Sequence, residues 1–181
     1  MKKIVFTCGI IAGLISSAWF VYSMAQPFEE IDFQNGMIYG YATMLLAFSL
    51  IFVGIKNYRD KHNGGEIRFG KAFLIGLYIT LIASTVYVLV WLIDYNFFIP
   101  DFGERYTDYM LEQMRAEGKP ETEILEEKVK MEEFSQMYKN PFFNALITYT
   151  EILPVGLLLS LIAAAVLNRR PRKPDTVTEG Q

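Results

Sequence analysis

The sequence has little of what metal and redox sites are built from. It contains one cysteine, Cys8, and one histidine, His62, among 181 residues. A single cysteine excludes an intrachain disulfide. One cysteine and one histidine are also too few to form a Cys/His set that could hold zinc or haem. We therefore expect no metal, no cofactor and no redox chemistry, and an enzyme ranks last among the candidate functions.

Charged residues are also scarce, at 20% of the chain against 52% hydrophobic residues. That balance is too apolar for a soluble domain of this size and predicts a membrane protein. Four apolar runs are long enough to cross about 30 Å of hydrocarbon, which takes about 20 helical residues. The expected spans are about 4–25, 36–55, 72–93 and 142–167, within a membrane domain over 1–168.

The first apolar run has a second interpretation. Lys2 and Lys3 precede it and the small-residue site 23–25 ends it, as in a cleaved secretory signal. A signal core is about 7–15 residues long, whereas this run is longer and carries Trp19 and Tyr22 near its far end. The length favours a retained span, with a cleaved signal as the alternative.

The long polar segment of the chain, 94–141, lies between the third and fourth runs. Its apolar residues fall into two stripes of helical spacing on either side of Gly118-Lys119-Pro120. If both stripes faced water, they would expose their aromatic residues together. We therefore expect two amphipathic, acidic helices outside the membrane, lying against its outer surface. The stripes contain Phe102, Tyr106, Tyr109, Met110 and Met114, then Ile124, Met131, Phe134 and Tyr138.

Lysine and arginine residues predict the orientation. They flank the apolar runs at the N-terminus, between the second and third runs, and after Leu167, whereas the connection 26–35 has none. Because basic residues concentrate on the cytoplasmic side, both termini are expected inside, with a basic and then polar cytoplasmic tail over 169–181. Aromatic residues such as Trp19, Trp91 and Tyr95 lie toward the outer ends of the runs, as in an interfacial belt.

Glu151 is the one acidic residue inside an apolar run, and no lysine or arginine lies in any run to pair with it. Ionisable residues inside spans are costly and by default mark a function, here that of a proton carrier. The alternative is a protonated side chain that hydrogen-bonds Thr80, Ser84 or Thr85 and only specifies packing. Pro154, one turn later, frees a backbone carbonyl nearby. The sequence favours neither interpretation.

Glycines at helical spacing predict close contacts between helices. Gly9 and Gly13 lie four residues apart in the first run. Gly36 and Gly40 repeat that spacing in the second run, and Gly76 belongs to a ladder of small residues in the third. Such spacing lets two helix backbones approach closely in lipid. Packing inside one four-helix bundle is sufficient to explain it, and a homodimer through the same faces is the alternative.

The segment 65–72 has the spacing of a phosphate-binding loop, in which glycines and a lysine hold phosphates. Ala72 stands where such a loop needs Ser or Thr, and the following run enters the membrane. We therefore expect no nucleotide and no nucleic-acid partner.

Four segments carry a resemblance to a known family. They are Gly40-Tyr41-Ala42-Thr43-Met44, Val53-Gly54-Ile55-Lys56-Asn57-Tyr58-Arg59-Asp60, Phe69-Gly70-Lys71-Ala72-Phe73 and Thr150-Glu151-Ile152-Leu153-Pro154. Together they resemble the bacterial domain-of-unknown-function family 4199, over nearly the whole chain to about Leu167. The resemblance implies a small bacterial membrane protein with four spans, and it implies no substrate, cofactor or catalytic residue.

These observations predict an all-α fold, in which a four-helix bundle lies in the bacterial inner membrane and a helical hairpin lies outside it between spans three and four. The predicted function is that of a non-enzymatic accessory or interaction protein. Its expected partners are the lipid bilayer and a membrane protein or a second copy of the chain. The alternative function is a small proton-coupled transporter or channel that uses Glu151.

Overall fold

The structure is a computed structural model that describes residues 1–169; most of the expected basic and polar tail, 170–181, lies outside the described residues. Within residues 1–169 the all-α prediction is confirmed, because the chain forms six α-helices and no β-strand. Four of them are long and apolar enough to cross a membrane. The helices are α1 (Lys2–Met24), α2 (Phe33–His62), α3 (Phe69–Phe97), α4 (Phe102–Ala116), α5 (Glu121–Tyr138) and α6 (Pro141–Leu167).

Side-chain caps fix where two of the long helices begin. The carboxylate of Asp32 accepts a hydrogen bond from the backbone N–H of Asn35, at 3.0 Å, at the start of α2. Asn140 accepts one from the backbone N–H of Phe142, at 2.9 Å, and Pro141 occupies the first turn of α6. Both caps satisfy N–H groups that have no partner inside the helix, and proline is well tolerated at the first helical position.

The second long helix extends further than predicted. The span was expected to end near Ile55 and to be followed by a basic loop through Lys71, but α2 continues to His62. It continues because no glycine or proline interrupts 56–62. The chain turns only where Gly64 and Gly65 adopt positive φ angles of 64° and 83°. The first half of the expected loop is therefore helical.

The four long helices form a bundle in which α2 and α3 separate α1 from α6. Helix α3 packs along α1 on one side and along α6 on the other, and α2 also contacts both. One end of the bundle carries both ends of the described chain, and we call it the terminus side; the other end lies next to α4 and α5. The core toward the terminus side is fully buried, and includes Phe48, Ile51, Ile55, Ile75, Ile79 and Ile152.

Three of the glycines identified in the sequence lie at close helix contacts inside the chain. Gly9 and Gly13 are buried against α3, and a Cβ atom on Gly13 would stand 2.8 Å from the carbonyl oxygen of Ala83. A Cβ atom on Gly76 would stand 2.8 Å from Oγ of Ser160 in α6. Real Cβ atoms do not approach other heavy atoms this closely. These helix contacts can therefore form only because glycine has no side chain.

Two further glycines, which the sequence analysis did not identify, complete the packing. A Cβ atom on Gly54 would lie 2.6 Å from Cδ1 of Ile79. A Cβ atom on Gly156 would collide with the side chain of Thr80 and would lie 2.8 Å from the ring of Phe48. The hydroxyl of Thr80 also hydrogen-bonds Ser160, at 3.1 Å, so a side-chain hydrogen bond joins α3 and α6 beside this close contact.

On the terminus side, the connection between α2 and α3 closes over the end of α6. Ile67 and Arg169 exchange two backbone hydrogen bonds of 3.0 and 2.9 Å. Arg59 is buried, bonds the carboxylate of Asp60 at 2.6 Å, and donates to the carbonyl oxygen of Leu167 at 3.4 Å. A buried guanidinium needs such partners, and they tie the last turn of α6 to α2.

Helices α4 and α5 pack against each other at the opposite end of the bundle. Gly118, with φ 75°, ends the first helix and Pro120 directly precedes the second. Leu111 and Ile124 are the buried apolar residues between them. Helix α5 also contacts α6, so the two short helices lie against the bundle.

Candidate functional site: cavities around Glu151

Two cavities open in the half of the bundle next to α4 and α5. The larger, of about 580 Å³, lies among α1, α3, α4, α5 and α6, and the smaller, of about 310 Å³, lies mainly between α1 and α2. Small-molecule sites in proteins usually have volumes of about 300–1,000 Å³. Both cavities are therefore large enough for a ligand.

Glu151 lies where the two cavities meet. Phe20, Tyr87, Phe102 and Glu151 line both of them. In α6, residues at spacings of four face the core, and Glu151 lies at the edge of that buried stripe. Its side chain lines both cavities and is exposed.

The exposed carboxylate of Glu151 accepts no hydrogen bond and forms no ion pair with the described side chains of residues 1–169. The hydroxyls predicted as its partners do not contact it. Thr80 bonds Ser160 at 3.1 Å, Thr85 bonds Tyr149 at 2.9 Å, and the buried Ser84 hydroxyl has no partner within residues 1–169. The predicted hydroxyl contacts are therefore absent, because α3 uses two of these groups for other bonds to α6.

Pro154 follows Glu151 by one turn inside α6. Proline has no N–H, so the carbonyl of Thr150 loses its helical hydrogen bond. The hydroxyl of Thr150 donates to the carbonyl oxygen of Ile147 at 2.6 Å, one turn earlier. The turn that carries Glu151 is therefore the part of α6 where bending costs least.

Aromatic rings from several helices form the walls of the larger cavity. Phe20 of α1 contacts Tyr87 and Trp91 of α3 edge to face, with ring centroids 5.2 and 5.4 Å apart. The indole N–H of Trp91 donates to the hydroxyl of Tyr138 in α5, at 3.0 Å. The remaining aromatic lining residues are Tyr95, Phe102, Tyr106 and Phe134. These contacts hold the rings in place around the cavity.

The phenol of Tyr138 remains neutral beside Glu151. Burial raises its pKa, hydrogen bonding to Thr148 and Trp91 lowers it, and the negative charge of Glu151 raises it again, for a net increase. Because an unperturbed tyrosine already titrates near about pH 10, Tyr138 keeps its proton at neutral pH. The wall is therefore aromatic and uncharged.

The other carboxylates that line the cavities have partners. Lys130 pairs with Glu127 at 3.3 Å, on the rim of the larger cavity. Asp32, in the smaller cavity, caps α2 as described above. Glu151 is therefore the lining carboxyl group that has no hydrogen-bond or ion-pair partner among the described residues.

Gly36 and Gly40 lie in the lining of the smaller cavity. No atom lies within 4 Å of a Cβ atom built on Gly36, and the nearest atom at Gly40 is Cδ1 of Trp19, at 3.8 Å. Among the described helices, none packs closely on these two glycines. Because they lie four residues apart on one face of α2, no side chain projects from these positions into the smaller cavity.

Comparison with known proteins gives one result. Residues 7–169 match the family described as protein of unknown function, DUF4199. The chain belongs to the DUF4199 family. Its four long apolar helices agree with the four spans that the sequence resemblance implied. No curated protein and no solved structure matches the chain.

The aromatic lining of this DUF4199 protein was missed in the sequence, although one signal was present. Tyr87, Trp91 and Tyr95 follow one another at spacings of four, so they share one face of α3. We attributed two of them to an interfacial belt, which aromatic residues at the ends of spans usually form.

Within residues 1–169 no group of three or more His, Cys, Asp or Glu side chains could hold a metal ion.

Proposed function

We propose that this protein is a small, non-enzymatic, proton-coupled transporter of the bacterial cytoplasmic membrane. The observation that carries the proposal is the position of Glu151, unpaired at the junction of two ligand-sized cavities. A carboxyl group that only held the bundle together would be bonded to a neighbouring helix. Glu151 has no such bond within residues 1–169, which favours function over packing.

In this proposal α1, α2, α3 and α6 cross the membrane, with both termini in the cytoplasm and α4 and α5 outside. The length and composition of the four helices support the spans. The clustering of lysine and arginine on the terminus side supports the orientation. The cavities then open toward the outside, and the tightly packed terminus side closes the route to the cytoplasm.

The proposed mechanism couples proton and solute through one carboxyl group. Protonation changes Glu151 from a charged acceptor to a neutral donor, so a solute held by one form is released by the other. The arrangement described above corresponds to an outward-open form, and bending of α6 near Pro154 would open the other side. The remaining ionisable residues that line the cavities are Asp32, Tyr41, Tyr87, Tyr95, Tyr106, Glu127, Lys130 and Tyr138.

Flux in proteoliposomes tests this function. Vesicles with an acidic interior and a trapped pH indicator receive ethidium, leucine or lactose outside, as a cation, a zwitterion and a neutral solute. We expect at least one of them to make the interior more alkaline in the wild type and none to do so in Glu151→Gln, since an amide carries no ionisable proton. Glu112→Gln, on an exposed part of α4, is the control that should behave as the wild type. Equal flux in folded Glu151→Gln contradicts the mechanism.

Labelling of single cysteines tests the orientation. In a Cys8→Ser background, Glu126→Cys and His62→Cys each introduce one thiol at an exposed position on opposite ends of the molecule. We expect a membrane-impermeant maleimide to label Glu126→Cys in intact cells, and His62→Cys only after the cells are permeabilised. The reverse pattern would show that the termini are outside.

The accessory or interaction protein remains the second candidate function, because α5 presents an unpartnered apolar surface. Leu125 is 61% exposed and Val129 is 50% exposed, and both lie on the same side of the helix. Such a surface suits a membrane interface or a partner protein. Absence of flux with every solute in the wild type would favour this candidate over the transporter.

A further inference from the structure

We propose that the cavities around Glu151 bind a hydrophobic organic cation, such as a quaternary ammonium or phosphonium compound. This inference names the solute class of the proposed transporter and so rests on that function, although binding can be measured without transport. Two features carry it: the aromatic walls of the larger cavity, and the carboxyl group of Glu151 in its lining, which has no partner among the described residues.

The walls suit a cation because the face of an aromatic ring is negative. A cation within about 6 Å of a ring centroid is attracted to that face, and cages of several rings recognise quaternary ammonium groups. Phe20, Tyr87 and Trp91 stand edge to face on one side of the larger cavity, and Tyr138 and Phe134 line the α5 side. A volume of about 580 Å³ accommodates a bulky cation with its apolar substituents.

The charge at the site selects against other solutes. Lys130 and Glu127 pair at the rim and Asp32 accepts the cap bond of α2, so the ionised form of Glu151 has no partner in the lining other than a bound ligand. An anion would be repelled by that carboxylate, and a neutral apolar solute would leave it unpaired.

The chemistry of the lining also selects an organic cation over a metal ion. Calcium takes about six to eight oxygen ligands, and magnesium demands octahedral geometry with several waters. The larger cavity instead surrounds Glu151 with rings, and no group of metal-ligating side chains occurs in the described part of the chain. Attraction over ring faces needs a cation that is weakly hydrated and flanked by apolar groups.

The two tryptophans of the chain provide a direct measurement of binding. Trp91 lines the larger cavity and Trp19 lines the smaller one, and the sequence has no other tryptophan. Titration of the full chain in dodecyl maltoside with tetraphenylphosphonium should change the tryptophan fluorescence until it saturates. Tetraphenylborate, an anion of the same shape, should cause no saturable change when it is titrated alone into a separate sample.

Two variants separate the charge from the aromatic wall. Glu151→Gln should weaken tetraphenylphosphonium binding by about tenfold or more, since it removes the counter-charge and keeps the shape. Phe20→Leu should weaken it by about threefold to thirtyfold through loss of one ring. Glu112→Gln and Tyr78→Leu are the matched controls, because these exposed residues lie outside the lining of both cavities, and they should bind as the wild type. Size-exclusion profiles and melting temperatures identify any variant that fails to fold.

The inference is overturned if tetraphenylphosphonium shows no saturable binding, if tetraphenylborate titrated alone binds equally well, or if folded Glu151→Gln binds as the wild type. Displacement by added phosphatidylethanolamine but not phosphatidylglycerol would assign the site to a lipid ammonium group and overturn a soluble cation. Glu151-dependent flux of leucine or lactose without cation binding would contradict the cation site and support the transporter. Cation binding without flux of any solute would support the cation site and contradict the transporter.

Discussion

Replacement of Gly156 by leucine is expected to prevent the four-helix bundle from assembling. Even a Cβ atom at this position collides with Thr80 and lies 2.8 Å from the ring of Phe48, which is fully buried. Neither neighbour can retreat, because Thr80 is bonded to Ser160 and Phe48 fills the core. Overpacking by a few methylene groups usually costs about 1–3 kcal/mol, and the leucine side chain has to displace a whole helix. We expect little or no monodisperse protein after detergent extraction.

The same substitution at an open glycine is the control. Gly36→Leu places its side chain where no atom lies within 4 Å of the Cβ position, so size-exclusion profile and melting temperature should stay near those of the wild type. A smaller substitution at Gly156 can distinguish its contact with Thr80 from its contact with Phe48. Gly156→Ala should destabilise the protein, and Thr80→Ser should recover part of that loss, since it removes the colliding methyl group and keeps the hydroxyl. A monodisperse Gly156→Leu protein with wild-type melting would contradict the observed packing.

The four long helices could be predicted from the sequence because their signal is local. A run of about 20 apolar residues is enough to indicate a helix that can cross a membrane, whatever its neighbours are. The end of α2 could not be predicted from hydropathy, because the apolar run ends at Ile55, whereas the helix ends only at His62, next to the turn at Gly64. Hydropathy marks the apolar part of a helix and does not show whether the helix continues into polar residues.

The site could be predicted only in part. Glu151 was identifiable because an acid inside an apolar run is unusual in any context. Its surroundings depend on which helices are neighbours, and no local pattern encodes that α1 and α6 lie on opposite sides of α3. Phe20 and Phe102 reach Glu151 from distant parts of the chain, so the cavity was not apparent before the fold was known.

The environment of Glu151 makes a strong prediction about its reactivity. Dicyclohexylcarbodiimide dissolves in apolar regions and reacts with protonated carboxyl groups there. Glu151 lies among the aromatic rings that line the larger cavity, and no hydrogen bond or ion pair holds it within the described part of the chain, so an apolar reagent that enters the cavity can react with it. The carboxylates of α5, such as Glu126 and Glu133, face outward and are exposed. A water-soluble carbodiimide should prefer the α5 carboxylates.

Treatment with dicyclohexylcarbodiimide is therefore expected to modify Glu151 and to abolish solute-coupled flux completely, because the adduct removes the ionisable proton and fills the junction of both cavities. Peptide mass spectrometry would locate the adduct, and Glu151→Gln should show none in α6. Tetraphenylphosphonium added beforehand should slow the reaction at Glu151 and leave the labelling of α5 by the water-soluble reagent unchanged. Full flux in protein that carries the adduct at Glu151 would show that this carboxyl group takes no part in transport. Because only the protonated carboxyl group reacts, the treatment is made at acidic pH; an unmodified Glu151 in folded protein under that condition would show that the cavity is closed to apolar solutes, and both the proposed entry route and the cation site would then have to be abandoned.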